Sequence, residues 1–406
     1  MSLKNLNQRL FSQVNKFYIG SFLKNQTYFT PIFILLLQFH NLDFQQIFWV
    51  FTIGSIFSFV LEIPTGVIAD LWGKRKSIII SKFGVLISFL IFAFAHSFWV
   101  FVIAQVVYEI GNSFRTGTET AYIYDYLEQN KDKKGIPTYT EVKGKQKFYA
   151  RIGESIATAI GGFLASIFGY NAVFLFAAIP TLANLIITIT WDKIKEYESK
   201  KVSFKSSILF AKRAIINLWS DWPTIRLTVN IALFAAVVAS VDKFIQPYMI
   251  NAGFKVQYFG LVYALALGII AFLVRYSYIL ETKFGKVNMI NWLTAISIIP
   301  LVIIGFKYIS IAGAALLFFV IFTENIRSPI ANNQFHSRVK SVERATFGSI
   351  LNQSKELAKI ILLPIIGFFA SAFSLYTAVL ILAGLVLLNV VFFYVRKGDV
   401  VDESIS

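Results

Sequence analysis

Charged side chains stand where the sequence is otherwise apolar. Lys24, Glu109, Arg115, Glu119, Asp242, Lys243, Glu324 and Arg327 all fall inside long apolar runs. An ionisable group near the centre of a bilayer costs at least about 2.5–3.5 kcal/mol on insertion scales, so it tends to face a wet cavity or a partner. The chemistry suited to such groups is proton exchange and the holding of polar solutes, not bond cleavage. His40, His96 and His336 lie at or near the ends of apolar runs and form no H-E-x-x-H spacing. There is no Cys, no phosphate-binding loop and no dinucleotide fingerprint. An enzyme, a metal site and a cofactor are therefore not expected.

The apolar runs set the architecture. The 406 residues are 56% hydrophobic and 15% charged, with a mean hydropathy of +0.65. A soluble domain is roughly 45–50% apolar and about 25% charged. Spans are predicted at 17–39, 44–70, 77–95, 98–126, 148–168, 170–190, 223–250, 256–280, 287–306, 308–333, 345–372 and 375–395. Twelve helices of about 20 residues need roughly 240 residues, which the chain supplies with short connections to spare. With 42 Phe the chain is not a disordered one, and continuous rather than alternating apolar runs argue against a transmembrane β-barrel.

Net charge is +16, which raises the question of nucleic acid. The distribution answers it. Lys and Arg crowd the N-terminus, alternate connections and the C-terminus, whereas the other connections carry only Lys255 and Lys307. This is the positive-inside pattern of a multi-pass protein with both termini cytoplasmic. The basic charge faces the anionic inner leaflet of a lipid bilayer, not nucleic acid. Residues 1–16 are polar and basic, and the run that follows is too long for a signal peptide, so no cleaved leader is expected. Leu3, Leu6, Leu10, Val14 and Phe17 recur at helical spacing and predict an interfacial helix. The polar stretch 191–222 divides six spans from six, and its part from Ser203 to Trp219 reads as a surface-lying amphipathic helix.

The halves echo one another. Gly162, Ala165, Ser166, Phe168 and Asn184 match Gly367, Ala370, Ser371, Phe373 and Asn389 at an offset of 205. Trp72-Gly73-Lys74 matches Phe284-Gly285-Lys286, and Pro31 matches Pro247. Their common order supports two parallel six-helix repeats, an arrangement associated with transporters.

The second span runs into Gly66-Val-Ile-Ala-Asp70-Leu-Trp-Gly73-Lys74-Arg75-Lys76. Gly66 suits close helix packing, Gly73 a tight turn, and the basic run the inner leaflet. Asp70 at the membrane boundary calls for a nearby cation or helix N-terminus. This G-x-x-x-D-x-x-G-[RK]-[RK] pattern resembles the loop 2–3 signature of the major facilitator superfamily. Gly117-Thr-Glu119-Thr-Ala121-Tyr-Ile-Tyr-Asp125 and Glu343-Arg344-Ala345-Thr346-Phe-Gly-Ser349 resemble the close of span 4 and the start of span 11 in many members. The resemblance covers about residues 15 to 396. Two departures weaken a drug-exporter reading: Ser113 stands four before Gly117, where those members often carry Arg, and span 5 has Ala157-Thr158 in place of a Gly-Pro pair.

The resemblance implies an all-α integral membrane fold, with twelve transmembrane helices in two pseudo-symmetric six-helix bundles. The expected divisions are an interfacial segment 1–16, bundles 17–190 and 223–396, a central loop 191–222 and a tail 397–406. It implies that spans 1, 4, 7 and 10 line a central cavity, and each of these carries charge. Lys24, Arg115, Gln246, Glu324 and Arg327 become candidate cavity residues, and Asp242 and Glu109 candidate proton carriers. Glu109 lies roughly 17 Å into its span at 1.5 Å per residue, with Asn112, Ser113 and Thr116 continuing its face. Local pairing is the alternative for Arg115 with Glu119 and for Glu324 with Arg327, at spacings of four and three. Gly66, Asp70, Gly73, Lys74 and Arg75 are implied to govern conformation, with Asp70 latching the outward-facing state.

The lead expectation is a secondary transporter of the cell membrane, monomeric, exporting small amphipathic molecules against protons or another coupling ion. The alternatives are proton-coupled uptake of a small polar or anionic metabolite and a non-transporting receptor or scaffold. Lys24, Arg115, Lys243 and Arg327 balance Glu109, Glu119, Asp242 and Glu324. That balance predicts a substrate charge between zero and about plus one, since breaking a buried pair is costly.

Overall fold

The computed structural model describes residues 13–131, 136–195, 221–274, 276–338 and 344–399. They form helices joined by short turns, with no strand among them. Among the described residues, eight helical stretches are long and apolar enough to cross a membrane, so the chain is an all-α membrane protein. Spans predicted at 17–39, 98–126, 148–168 and 345–372 are not among the eight. The first two are broken, and the other two carry Arg151 and Glu154 or Lys355, Glu356 and Lys359 inside.

The chain divides into two compact units. The first comprises Met1–Leu36, Val60–Phe204 and Val256–Ala264. In chain order its helices are α1 (Gln13–Lys24), the later part of α3 (Phe44–Trp72), α4 (Lys74–Ala93), α5 (Phe98–Arg115), α6 (Thr118–Gln129), α7 (Tyr139–Phe168) and α8 (Ala172–Ile189). Short α2 (Phe33–Phe39) lies at its boundary. Helix α4 packs on α5 and α8, and α1 on α7 and α8. Phe174 stacks on both Phe29 and Phe92 at 4.7 Å between ring centroids, forming an aromatic core. Val14 and Phe17, expected on the membrane surface, are buried with Tyr122 and Trp191. Helix α1 turns this face inward because Trp191 folds back and covers it. Leu3, Leu6 and Leu10, and the segment 203–219, lie outside the described residues.

The second unit comprises Leu37–Phe59, Lys205–Lys255 and Leu265–Ser406. It holds α9 (Trp222–Asn251), much of α10 (Phe259–Val274), α11 (Ser277–Phe284), α12 (Lys286–Ile296), α13 (Ile298–Gly305), α14 (Ile311–Ser337), α15 (Arg344–Ala372) and α16 (Leu375–Phe392). Helix α9 packs on α14 and α15, α12 on α14, and α13 on α16. Its core gathers Leu227, Ile231, Ile326, Ile330 and Phe335. The tail is sewn on. Asn291 Nδ2 donates to Val395 O at 2.8 Å, Val395 N donates to Asn291 Oδ1 at 3.0 Å, and buried Arg226 pairs with buried Asp399 at 3.1 Å.

The internal echo survives in backbone geometry. Gly73 and Gly285 each link two helices with φ of 95° and 81°, a left-handed conformation that a side chain disfavours. Asn184 and Asn389 are both buried. Gly66 departs from expectation: it is exposed, and a Cβ there would meet nothing within 4 Å. It therefore brings no helix close.

Candidate functional site

In the first unit, helix breaks gather charge. The run 17–39 stops being helical at Lys24, and 98–126 is interrupted after Arg115, where Gly117 has φ of 77°. Lys24 and Arg115 thus occupy the last turns of α1 and α5, and Glu119 the first turn of α6. Cations at helix C-termini and a carboxylate at an N-terminus are each favoured by the helix dipole. The breaks are stabilised locally: Asn25 Nδ2 donates to Ser21 O at 2.7 Å and Thr116 Oγ1 to Asn112 O at 3.1 Å.

A fourth charge joins them. Lys82, in the interior of α4, has only 5% of its side chain exposed. Helices α4 and α5 approach closely at Gly111, where a Cβ would stand 3.0 Å from Val85 N. Glu119 Oε2 lies 3.7 Å from Lys24 Nζ, 3.8 Å from Lys82 Nζ and 3.7 Å from Arg115 Nη1. None of these reaches hydrogen-bond distance, and Glu119 Oε2 has no hydrogen-bond partner among the described residues. Arg115 Nη2 donates to Asn112 Oδ1 at 3.1 Å. Local pairing of Arg115 with Glu119 is therefore present, but as one of three.

Two cavities flank the cluster and share Lys24 and Arg115. One, of about 130 Å³, is lined also by Lys82, Ser81, Tyr108 and Asn184. The other, of about 380 Å³, is lined by Glu119, Thr120, Lys143, Gln146 and Lys147. Burial pulls the Lys143 amine down from its ordinary pKa, and Glu119 partly opposes this. Sequence reasoning passed over Lys82, Ser81 and Asn184. The signal for Lys82 was the one applied elsewhere, a charge inside the apolar run Ile78–Phe83.

Glu109 lies on α5 and accepts from Gln105 Nε2 at 2.8 Å. In the second unit, Asp242 pairs with Lys243 at 2.9 Å, and Lys243 Nζ sits 4.4 Å from the centroid of the Phe51 ring. Gln246 is buried. Arg327 is wholly buried: Nε donates to Thr294 Oγ1 at 2.8 Å, Nη1 to Glu324 Oε2 at 3.0 Å, and Nη2 to Asn230 O at 3.2 Å and to Asn230 Oδ1. Asn389 Nδ2 also donates to Asn230 O, at 3.1 Å. So complete a set of protein partners leaves Arg327 little capacity for a solute.

Around the loop motif, Lys74 pairs with Asp125 and Arg75 donates to Ile189 O, tying the start of α4 to the ends of α6 and α8. Asp70 is exposed and makes no ion pair with the described residues. The partner expected for it is not found there.

Comparison with known proteins agrees with this architecture. An uncharacterized MFS-type transporter of Bacillus subtilis, YxaM, is 20% identical over 381 residues, covering 90% of each chain. Another from Methanocaldococcus jannaschii, MJ1560, is 26% identical over 264 residues, covering 63% of this chain and 64% of that one. Among solved structures, the nucleoside transporter NupG superposes with a TM-score of 0.78 at 13% identity, over 94% of this chain and 98% of that one. A POT family transporter in complex with 5-aminolevulinic acid gives 0.74 at 12% identity, over 96% of both. These structural likenesses speak to fold alone. The sequence profile of the Major Facilitator Superfamily matches residues 17–352, from α1 into α15. On a match of that extent, the chain belongs to the Major Facilitator Superfamily, a family of membrane transporters of small molecules and not of enzymes.

Proposed function

We propose that this chain is a proton-coupled carrier of a small organic anion, working by alternating access between six-helix halves 17–190 and 223–396 joined by the loop 191–222. The observation that carries this reading is the cation excess in the first unit. Lys24, Lys82, Arg115, Lys143 and Lys147 line its two cavities, and Glu119 is the single acid lining them among the described residues. The even balance counted along the sequence did not include Lys82, Lys143 or Lys147. With them, an anionic solute gains the most, and uptake is preferred to export of an amphipathic weak base.

Coupling follows from the driving force. An inside-negative potential opposes anion entry by about 2.3 kcal/mol per charge per 100 mV, and a co-transported proton cancels that charge. Asp242 and Glu109 are the proposed proton carriers. Glu324 and Arg327 are proposed to brace the second unit, with Lys24 and Arg115 holding solute and Gln246 as a further polar contact. Asp70, with Gly66, Gly73, Lys74 and Arg75, is the proposed conformational element. The proposed setting is the cell membrane, with the chain a monomer and both termini cytoplasmic.

The test is transport by the purified protein in proteoliposomes under an imposed pH gradient. Organic anions should compete for uptake and accumulate. Asp242→Asn or Glu109→Gln should abolish accumulation but preserve counterflow, which needs no net proton movement. Accumulation of cationic amphipaths with no response to anions would reinstate export, and unchanged pH dependence in both variants would remove these acids from coupling.

A further inference from the structure

The 130 Å³ cavity of the first unit is distinct in chemistry from the larger one beside it. Lys24, Lys82 and Arg115 line it, and Glu119 does not. The three cations thus line this cavity while their common carboxylate lines only the other. Glu119 offsets one positive charge of this cluster. It does so from 3.7–3.8 Å, outside hydrogen-bond distance, so donors on all three cations remain available to an acceptor.

Two neutral groups complete the lining. Ser81 is fully buried and its Oγ has no hydrogen-bond partner among the described residues. Asn184 is 1% exposed and its Oδ1 likewise has none. A buried polar atom left unpaired is costly, and a water, an ion or a solute group that binds there removes the cost. An Asn amide carries an acceptor oxygen and a donor NH₂, so rotation of the Asn184 amide lets it donate inward. A cavity of about 150 Å³ holds a molecule as large as benzene, so this one has room for a compact tetrahedral oxyanion.

We infer that this cavity binds a phosphoryl group, the dianionic end of a phosphate ester, through Lys24, Lys82, Arg115, the Ser81 hydroxyl and the Asn184 amide. The inference rests on the anion reading above and narrows it. The three cations form one tight cluster, since all lie within 3.8 Å of one Glu119 oxygen, and all three also line this cavity. A phosphoryl group places two charges and three acceptor oxygens at one point. A monocarboxylate leaves one cation unmatched, and a dicarboxylate carries its second charge away from the cluster.

The test is equilibrium binding to the purified full-length protein in nanodiscs, with inorganic phosphate, glycerol phosphate, succinate and acetate as probes at matched ionic strength. Both phosphates should bind more tightly than succinate or acetate. Lys82→Ala should weaken phosphate by about tenfold or more. Ser81→Ala, which leaves every charge in place, should weaken it by about fivefold while leaving thermal unfolding unchanged. Succinate or acetate binding more tightly than phosphate overturns the phosphoryl assignment and leaves the anion reading standing. Failure of all four probes overturns both. Phosphate binding indifferent to Lys82→Ala and Ser81→Ala overturns this location. Discs with and without phosphatidic acid separate the sources. Glycerol phosphate binding in its absence assigns a soluble ester, and blockage of phosphate only in its presence assigns a lipid headgroup to the same chemistry.

Discussion

Lys82 Nζ lies 3.8 Å from Glu119 Oε2, joining the middle of α4 to the first turn of α6. The pair is buried and loose, and Lys24 and Arg115 share the same oxygen. Glu119 is thus the counter-ion that lets three cations stay together in a largely apolar unit. Glu119→Gln should leave them to repel one another and destabilise the protein by about 1–3 kcal/mol, less than for a fully buried pair because Lys24 and Arg115 keep some solvent. Thermal unfolding should show the loss, and multivalent anions should restore the variant more than they raise the wild type. Equal response of the two proteins would mean that Glu119 does not neutralise the cluster.

Arg327 should behave as a brace. Its partners are Thr294, Glu324 and Asn230, and its guanidinium carbon lies 4.7 Å from the centroid of the Phe234 ring. Removing one member of a buried charged network costs about 3–5 kcal/mol. Arg327→Ala should therefore lower the yield of folded protein and its unfolding temperature. Arg327→Lys should rescue little, because a lysine lacks the planar fork that reaches all three partners. A well-folded Arg327→Ala protein with weakened solute binding would instead return Arg327 to the substrate site.

The glycines of the loop motif should separate by backbone conformation. Gly73→Ala and Gly285→Ala force a side chain into a left-handed conformation, at about 1–2 kcal/mol each. Gly66→Ala meets open space inside a helix and should be neutral or stabilising by up to about 1 kcal/mol. Unfolding of the three variants in the same detergent checks the order. A destabilised Gly66→Ala protein would show that this residue packs closely in a conformation other than the one described.

Asp221 is tied to Arg338 at 3.0 Å and to Thr224. Partial burial pushes its carboxyl up, but hydrogen bonds from Thr224 and Arg338 outweigh this and hold its pKa below the ordinary 3.8. A depressed carboxylate pKa contributes stability above the unfolded value, and that contribution is lost as pH falls through the folded one. Wild type should therefore unfold at a higher temperature than Asp221→Asn at neutral pH, and the two should converge below pH 3.8. A constant difference across that range would show that Asp221 acts by packing rather than charge.

Asp70 is exposed and makes no ion pair with the described residues, so Asp70→Asn should fold and insert like the wild type. If it latches one state of the cycle, transport by the variant should fall while solute binding persists. Wild-type turnover would remove it from the gating element.

Membrane embedding, family and the basic connections were legible in the sequence because each is a one-dimensional quantity. Apolar run length follows from bilayer thickness, and the loop motif is contiguous around Asp70 and Gly73. The doubled Trp72-Gly73-Lys74 and Phe284-Gly285-Lys286 segments also announced a shared backbone turn, since only glycine adopts it cheaply. What tertiary structure decided was which charges meet. Apolar runs at 17–39 and 98–126 read as unbroken spans because hydropathy does not register a helix break. Those breaks bring the ends of α1 and α5 to the start of α6 and turn Lys24, Arg115 and Glu119 toward one point. Lys82 joins them from a helix whose own sequence names no partner, and Arg327, outwardly similar, is enclosed by Asn230 and Thr294. Charge interaction depends on distance in space and on exclusion of water, and neither is a function of separation along the chain.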